Sequence, residues 1–252
     1  MAAWFTTGVP RTVEGMCGRF AMDDKTNDLI EEFVLDGNDF RDWVPSFSIA
    51  PTDPVPVIRE RARDDGEVQR KVEPAVWDFW PQWMSPDKHK RPQFNARIET
   101  VATNGMWKKA FSSSRCIVPM RGYYEWTGEA GSKDAHFIHG THRLAAAGIY
   151  TPRKDEAGEW YLTMSIITRE ARDASGEVHD RMPVFLEPGV FDRWLSPVKI
   201  EEQGELDEIV TMLEKVSDEV AGTITTYEVD RRVNNSRTVD PGDASLIEPL
   251  AG

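Results

Sequence analysis

The order of apolar and polar residues predicts a chain of many short strands with few helices. Period-two alternation, or a short continuous apolar run, is typical of a strand. By this criterion the predicted strands are Val55–Ile58, Gln69–Val76, Arg115–Pro119, Gly122–Trp126, Ala135–His139, Leu144–Tyr150, Glu159–Thr168 and Ile224–Val233. A charged turn at residues 61–67 joins the first two strands in a predicted hairpin.

Helical spacing is limited to four segments, namely residues 27–34, 106–111, 191–195 and 205–220. Residues 171–178 show neither period, and we expect a loop there. Strands and helices do not alternate in the βαβ order of a parallel sheet. The pattern therefore predicts one α+β domain with a curved, mostly antiparallel sheet, a barrel-like core and a few flanking helices.

Composition limits the classes of function. The net charge is −13, from 43 acidic and 30 basic residues, which argues against a broadly basic nucleic-acid-binding surface. Net charge does not exclude a local basic groove, however. No apolar run reaches the roughly 18 residues that a membrane span requires. The two cysteines lie far apart in sequence and no export signal is evident, so we expect a reduced, cytoplasmic protein.

The segment Met16–Phe20 contains the first cysteine, Cys17. If Cys17 became the N-terminal residue, it would carry an α-amine and a thiol on adjacent carbons. These groups ordinarily titrate near pKa ~8 and ~8.5, so both are partly available as nucleophiles at neutral pH. The pair can condense with an aldehyde to a thiazolidine. The alternative is a small buried residue near the start of a strand.

Three further segments carry residues suited to chemistry. Asn95, Arg97 and Glu99 would share one face of a strand, where Asn and Arg suit a phosphate or sugar, although a solvated strand face with an ordinary ion pair also explains them. Glu125 lies among aromatic residues, which favours proton transfer but also fits an ordinary strand. His179 can relay protons near neutral pH or can simply cap an element.

A metal site is not expected. His136, His139 and His142 are spaced by three, which places successive rings on opposite faces of a strand. Cysteine or carboxylate ligands that would complete a set do not accompany them. Glycine-rich phosphate loops and Gly-x-Ser-x-Gly elbows are also absent from the sequence. We expect neither a metal nor a cofactor.

Five motifs follow one another along the chain, namely Met16–Phe20, Ser48–Thr52, Phe94–Glu99, Gly122–Trp126 and Val178–Pro183. Taken together and in this order, they resemble the SRAP family of abasic-site processing proteins. The resemblance covers Met16 to about Asn235 and implies a domain over residues 16–240. Residues 1–15 would then be an extension outside the mature protein, and residues 241–252 a polar tail.

The resemblance implies a protein that binds single-stranded DNA at an abasic site and forms a thiazolidine cross-link, with an accompanying lyase activity, in the DNA damage and SOS responses. It makes Cys17 the nucleophile, Asn95 a positioning group, and Glu125 and His179 proton-transfer groups. The DNA contacts that the resemblance implies are Arg19, Arg97, Thr168, Arg181, Trp83 and Trp126.

Two other functions remain open at this point. A thiol peptidase could use Cys17 to remove its own leader, and a simple binding module could hold single-stranded DNA without reacting. With residues 1–16 attached, Cys17 has no free amine and cannot form a thiazolidine. We therefore expect the reactive form to begin at Cys17, and to associate with the nucleoid when bound to DNA.

Overall fold

The computed structural model describes residues 18–23, 44–129 and 131–250. Cys17, the extension at residues 1–15 and the helix expected at residues 27–34 lie outside these described residues. Within these residues there are thirteen strands: β1 Phe20–Met22, β2 Ser46–Ile49, β3 Pro54–Ala62, β4 Val68–Val76, β5 Asn95–Arg97, β6 Arg115–Met120, β7 Gly122–Thr127, β8 Asp134–Gly140, β9 Leu144–Lys154, β10 Trp160–Glu170, β11 Arg181–Pro183, β12 Phe185–Leu186 and β13 Ile224–Val229.

Five α-helices lie among these strands in the described part of the chain: α1 Ile98–Val101, α2 Lys108–Ser113, α3 Asp173–Val178, α4 Phe191–Leu195 and α5 Gln203–Ala221. The prediction of a loop at residues 171–178 is wrong, because α3 occupies most of that segment. Helix α5 buries its apolar stripe, including Leu206, Ile209 and Leu213, against the sheet. The described helices are not long and apolar enough to cross a membrane.

Five strands close into a barrel. Strand β10 pairs with β4, β4 with β3, β3 with β6, β6 with β9, and β9 again with β10. The β10–β4 pairing is parallel, as is that of β10 with β5, and the remaining pairings are antiparallel. The predicted fold, an α+β domain with a curved, mostly antiparallel sheet and a barrel-like core, is thus confirmed.

Successive residues of the barrel strands divide between two apolar clusters. On β6, for example, Cys116 and Val118 belong to one cluster, whereas Ile117 belongs to a second that also contains Leu206 and Leu213 of α5. This division follows from the period-two alternation of side chains along a strand. The helices therefore cover one face of the sheet, and the other face forms an interior core that contacts the second sheet.

The second sheet has the order β13–β8–β7–β1–β2 and supports the motif residues near the N-terminus. Phe20 of β1 lies opposite Tyr123 of β7 and opposite Ile49 of β2. Both Phe20 and Tyr123 belong to the interior core shared with the barrel. Because β1 lies between β7 and β2 in this sheet, the residues just before Phe20 are held beside β7.

The C-terminal segment packs on the outer face of the second sheet. Leu246 is fully buried there, together with Phe47 and Tyr124. The backbone N–H of Phe47 donates to the carbonyl of Pro241 at 2.6 Å, and Pro249 forms a β-bridge with Val229. The described part of the expected polar tail is therefore anchored to the domain.

Candidate functional site

Trp77 connects two of the motif segments. Its ring packs edge-on against Phe20 of β1, with centroids 4.9 Å apart, and against Phe94, with centroids 5.9 Å apart. The indole Nε1 also donates a hydrogen bond to the Phe94 carbonyl at 2.8 Å. Arg19 precedes Phe20 and Asn95 follows Phe94, so this buried tryptophan holds both residues at one end of the interior core.

The motif Ser48–Thr52 is also fixed to this tryptophan. Thr52 has a φ of 80°, in the left-handed region, which is rare for a β-branched residue. Such a conformation costs about 1–3 kcal/mol and persists only where neighbouring structure enforces it. Here Thr52 donates its N–H to the Trp77 carbonyl at 3.0 Å, and the Trp77 N–H donates to the Asp53 carbonyl at 3.0 Å.

Arg19 is buried and bonded within the protein. Its Nη1 donates to Ser48 Oγ at 3.0 Å and to the Val233 carbonyl at 2.9 Å. The guanidinium carbon lies 5.9 Å from the centroid of Trp126. Arg19 therefore joins β1, β2 and the segment after β13, and its positive charge lies against an aromatic face.

Glu125 is a buried carboxylate on β7, with 2% of its surface exposed. The chain of β1 runs beside it, since the N–H of Tyr124 donates to the Arg19 carbonyl at 2.9 Å. Across the sheet Glu125 lies directly opposite His136 of β8. Residues directly opposite in an antiparallel pair share one face, so His136 flanks Glu125.

His179 is tied to the same strand through α3. The hydroxyl of Tyr123 donates to Ser175 Oγ at 2.8 Å, and both groups are buried. Ser175 lies in α3, and its carbonyl accepts the N–H of His179 at 3.0 Å. Because side chains alternate along β7, Tyr123 and Glu125 share a face. Strand β7 thus positions both proton-transfer candidates.

The Nδ1 atom of His179 has two neighbours that require different protonation states. The backbone N–H of Arg181 lies 3.0 Å away and needs an unprotonated acceptor. The carboxylate of Asp180 also lies 3.0 Å away and needs a protonated donor. A neutral ring with its proton on Nε2 therefore bonds to Arg181, and protonation of Nδ1 transfers the bond to Asp180. The ring can exchange partners as it gains or loses a proton.

Asn95 and Arg97 lie on β5, which pairs in parallel with β10. Asn95 is opposite Ile166, and Arg97 is opposite Thr168. Arg97 is exposed, and its guanidinium makes no hydrogen bond or ion pair with a described residue. The alternation places both side chains on one face, with Ala96 buried in the opposite cluster.

Arg181 and Thr168 differ from Arg97 in being buried. The two guanidinium nitrogens of Arg181 donate to the two carboxylate oxygens of Glu99 at 2.6 and 3.0 Å, and one also donates to the Thr168 carbonyl at 2.8 Å. Partial burial is the largest single effect and would raise the pKa of Glu99. Hydrogen bonds from Arg181 and from the backbone, together with the positive charges of Arg181 and Arg97, outweigh it and hold that pKa below its usual value. Arg181 therefore has a carboxylate partner in this structure.

The two tryptophans have different surroundings. Trp126 is partly buried, stacks near Tyr124 with centroids 6.5 Å apart, and donates its Nε1–H to Asn234 at 2.7 Å. Trp83 is 65% exposed on the loop between β4 and β5. Arg19 and Trp126 thus lie together on the outer face of the second sheet, opposite the interior face that Glu125 shares with Tyr123, and Trp83 lies on a separate loop.

Several supporting residues were not identified from the sequence. Trp77, Ser175 and His136 connect the site residues, and Glu99 pairs with Arg181 across 82 positions. Among the supporting residues, only Tyr123 could have been identified from the sequence, because it lies two residues before Glu125 on the same strand and so shares its face. Among residues 18–23, 44–129 and 131–250, no cluster of three or more His, Cys, Asp or Glu side chains could hold a metal ion.

The fold and this arrangement define an α+β domain with a buried carboxylate, a histidine and arginines around the end of its interior core. The chain belongs to the SRAP family, because the family model described as SOS response associated peptidase (SRAP) matches residues 16–236. This family comprises the abasic site processing proteins, which places the chain among proteins of DNA damage and repair.

Relatives resemble the chain over most of its length. It is 28% identical over 239 residues to the abasic site processing protein YoqW of Bacillus subtilis, covering 92% of this chain and 99% of that protein. It is 32% identical over 189 residues to the abasic site processing protein YedK of Escherichia coli, covering 71% of this chain and 79% of that protein. A crystal structure of a protein from Bacteroides thetaiotaomicron has the same fold, with a TM-score of 0.70 at 20% identity, covering 93% of this chain and 100% of that one.

Proposed function

We propose that the protein processes abasic sites in single-stranded DNA by forming a covalent thiazolidine through Cys17 as the N-terminal residue. The observation that carries the proposal is the shared placement of four motif segments around Trp77 and Tyr123. That arrangement supports a site formed by Asn95 of β5, Glu125 of β7 and His179 just after α3, next to the segment that leads into β1.

The first step is the condensation of the Cys17 amine with the aldehyde of the ring-opened abasic sugar. The nitrogen adds to the aldehyde carbon, and water leaves to give a Schiff base. The Cys17 thiol then adds across the C=N bond, so that a carbon–sulfur bond forms and the proton moves to nitrogen. Asn95 positions the terminal residue and the sugar in this proposal.

Proton transfers are assigned to the two remaining groups. Glu125 assists opening of the sugar ring and loss of the hydroxyl, because it is buried beside β1 and can transfer a proton without competition from bulk water. His179 removes the proton next to the Schiff-base carbon, which expels the 3′ phosphate and gives the lyase activity. Its two alternative Nδ1 partners support a role in which the ring changes protonation state.

DNA is held by phosphate contacts and stacking. Arg97 is exposed without a protein partner among the described residues, which makes it the best-placed phosphate contact. Trp83 offers an exposed face to a base. Arg19 and Arg181 are buried and bonded, so they act on DNA only where a phosphate reaches the edge of their guanidinium groups. The proposal places the protein in the cytoplasm, on the nucleoid when bound to DNA.

The test is a time course with an oligonucleotide that contains one abasic site. Protein starting at Cys17, verified by intact mass, is expected to give an adduct that is stable without a reducing agent. Cys17→Ala retains an amine and is expected to give an adduct only after borohydride reduction. Equal yields of stable adduct from both proteins would contradict the thiazolidine mechanism.

A second candidate function is the removal of residues 1–16 by a peptidase activity of Cys17. It is favoured because Cys17 gains its amine only when the bond after Met16 is cut or when translation starts at Met16. The full chain is expected to shorten to a product beginning at Cys17, and Cys17→Ala to keep its full mass. Equal shortening of both chains by the host would assign the removal to another enzyme.

A further inference from the structure

Two of the large apolar side chains most exposed in the described part of the chain lie at one end of the barrel. Trp83 is 65% exposed and Trp160, the first residue of β10, is 62% exposed. A tryptophan side chain carries a large apolar area, so two of them left in solvent close together indicate a contact surface. The fold itself does not use either ring.

Contacts of Lys154 place the two tryptophans on one surface. The backbone N–H of Lys154 donates to the side-chain oxygen of Gln82, next to Trp83, at 2.9 Å. Lys154 lies directly opposite Trp160 across the β9–β10 pair. Its ammonium is 4.9 Å from the centroid of the Trp160 ring. Trp83, Lys154 and Trp160 therefore form a continuous surface, which we call the Trp160 surface.

The loop that carries Trp83 is held rigidly. Trp80 stacks on His89 with centroids 4.4 Å apart, and the guanidinium carbon of Arg153 lies 3.7 Å from the Trp80 ring centroid. Arg153 also donates to the carbonyl of Pro81 at 3.1 Å, and His89 pairs with Asp78 at 2.8 Å. A fixed loop loses little conformational entropy when a ligand binds, so Trp83 is preorganised.

The charges around the surface suit a polyanion only in part. Lys88, Lys90 and Arg91 lie exposed on the same loop, and no described ion pair includes them or Lys154. Against them stand Asp87 on the loop and Glu156 and Glu159 in the β9–β10 turn. Stacking on the aromatic rings, rather than charge, must therefore supply most of the affinity.

The position of the surface relates it to the proposed site. Trp160 is six residues before Ile166, which lies opposite Asn95. At ~3.3 Å per residue, Trp160 and Asn95 are therefore about 20 Å apart along β10. Between them the N–H of Trp80 donates to Thr163 Oγ1 at 3.0 Å, which places the Trp83 loop beside the middle of β10. A strand leaving Asn95 would pass the Trp80 end of this loop before reaching Trp83 and Trp160, which lie at the level of Lys154.

We propose that the Trp160 surface binds unpaired bases of the DNA strand that flanks the abasic nucleotide. The inference rests on the proposed function and adds a second stacking position to it. The occupant is a single strand, because an exposed aromatic face requires a base that is not already stacked in a duplex. At ~3.4 Å per stacked nucleotide, the distance from Asn95 to Trp160 corresponds to about six nucleotides, or to fewer if the DNA strand is stretched.

The experiment measures binding without chemistry. Strands carrying a tetrahydrofuran abasic analogue, which lacks the aldehyde, are prepared with arms of about three or about twelve nucleotides on each side. Trp160→Ala is expected to raise Kd for the long strand about 5- to 150-fold, which is the range of one base–aromatic contact. The Kd values of the long and short strands should therefore become more similar in this variant. Trp160→Phe should restore most of the affinity, and Val198→Ala, which alters an exposed residue elsewhere, should not change Kd.

Charge is tested separately. Lys154→Gln is expected to make the salt dependence of long-strand binding shallower by ~0.7 in log–log slope if it meets a phosphate, whereas Trp160→Ala leaves the slope unchanged. Lys215→Gln, at an exposed site on α5, controls for the loss of one charge.

Three results would overturn the proposal. They are an unchanged long-strand Kd for Trp160→Ala, an equal loss on short strands, and an equal loss when the long arms are duplex. Wild-type protein that forms no adduct with a reactive abasic site would instead contradict the proposed function, and the binding data would still decide whether the Trp160 surface holds DNA.

Discussion

Arg181 and Glu99 form a bidentate ion pair that joins β11 to α1 across 82 positions of the chain. Arg181 is also bonded to the Thr168 carbonyl on β10, so one guanidinium links three elements. The family resemblance assigns Arg181 to DNA phosphate, but in this structure its carboxylate partner is Glu99. A phosphate would therefore have to compete with Glu99 or approach the pair from outside.

Removing the carboxylate tests this competition. Glu99→Gln is expected to strengthen single-stranded DNA binding and to steepen its salt dependence by ~0.7 in log–log slope, because one more cation can meet a phosphate. Binding isotherms over a series of salt concentrations measure the slope. Glu219→Gln removes the same charge at an exposed position on α5 and serves as the control.

Arg97→Ala is the opposite test to Glu99→Gln, because it removes a cation rather than an anion. It is expected to weaken binding whatever the DNA sequence and to make the slope shallower by ~0.7, since an exposed phosphate contact is lost. Equal slopes for Glu99→Gln and Glu219→Gln would show that only overall charge matters. An unchanged slope for Arg97→Ala would remove that residue from the phosphate contacts.

The same ion pair predicts a pH dependence of stability. Because the pKa of Glu99 is lower in the folded protein than its usual value, the pair stabilises the fold above the unfolded pKa of ~4.3 and loses this contribution as pH falls through the folded pKa. The difference in unfolding free energy between wild type and Glu99→Gln should be constant above about pH 5 and should shrink in more acidic solution. Denaturant titrations at several pH values measure it, and a difference that grows on acidification would show the opposite linkage.

Much of the fold could be predicted from sequence because the strands alternate clearly. The pairing that closes the barrel-like core could not, since it is the parallel pairing of β10 with β4, which no local pattern reveals. Helix α3 was missed because it has six residues, includes Gly176 and buries only Ser175. Its other core contacts, the partly buried Ala174 and Val178, are too few to stand out as a helical period.

The candidate site could also be predicted only in part from the sequence. Glu125 stands out in sequence because aromatic residues surround it, and the structure places it in a buried position. The Trp77 contacts and the Glu99–Arg181 pair join residues distant along the chain, so they required the folded structure. The described part of the expected polar tail is anchored because Leu246 is apolar, a single residue too brief to register as a pattern.

The hydrogen bond from Tyr123 to Ser175 should matter for the lyase step. Tyr123→Phe leaves the buried Ser175 hydroxyl without this bond, which is expected to lower the unfolding free energy by about 1–3 kcal/mol and to loosen the attachment of α3. Because His179 follows α3, strand cleavage should fall more than adduct formation. Separate time courses of the two products measure the effect.

Tyr124→Phe provides a matched control on the opposite face of β7. The Tyr124 hydroxyl donates to the Phe47 carbonyl at 2.7 Å, so its removal should cost a similar amount of stability. It has no bond to α3 among the described residues, and the ratio of the two products should stay at the wild-type value. Equal changes of that ratio in both variants would reduce the Tyr123 bond to a purely structural one.

The second cysteine should be dispensable for chemistry. Cys116 is fully buried in the interior core opposite Gly148, and burial raises the pKa of its thiol, despite an opposing effect of Arg59. A neutral buried thiol is a poor nucleophile. Cys116→Ala is expected to retain the wild-type yield of stable adduct and to lower the unfolding free energy by about 1 kcal/mol. Loss of the adduct in Cys116→Ala, with retention in Cys17→Ala, would reverse the assignment of the nucleophile.

The final prediction separates the roles of Glu125 and His179. Opening the sugar ring and losing the hydroxyl both need proton transfer early in the reaction, and Glu125 is the buried group beside β1. Glu125→Gln is therefore expected to slow adduct formation, and its reversal too by microscopic reversibility, by roughly 10²–10⁴-fold. His179→Ala should reduce strand cleavage by a similar factor while the adduct accumulates. Covalent adduct and nicked strand are scored separately in one time course.

His136→Phe is the control for this division, because His136 lies opposite Glu125 but has no assigned proton transfer. If the carboxylate acts alone, the variant should retain adduct formation and strand cleavage in the wild-type ratio. Parallel loss of both products in Glu125→Gln and His179→Ala would contradict separate roles. Since Tyr123 and Ser175 already connect the two residues, that result would identify one positioning network in which neither group transfers protons independently.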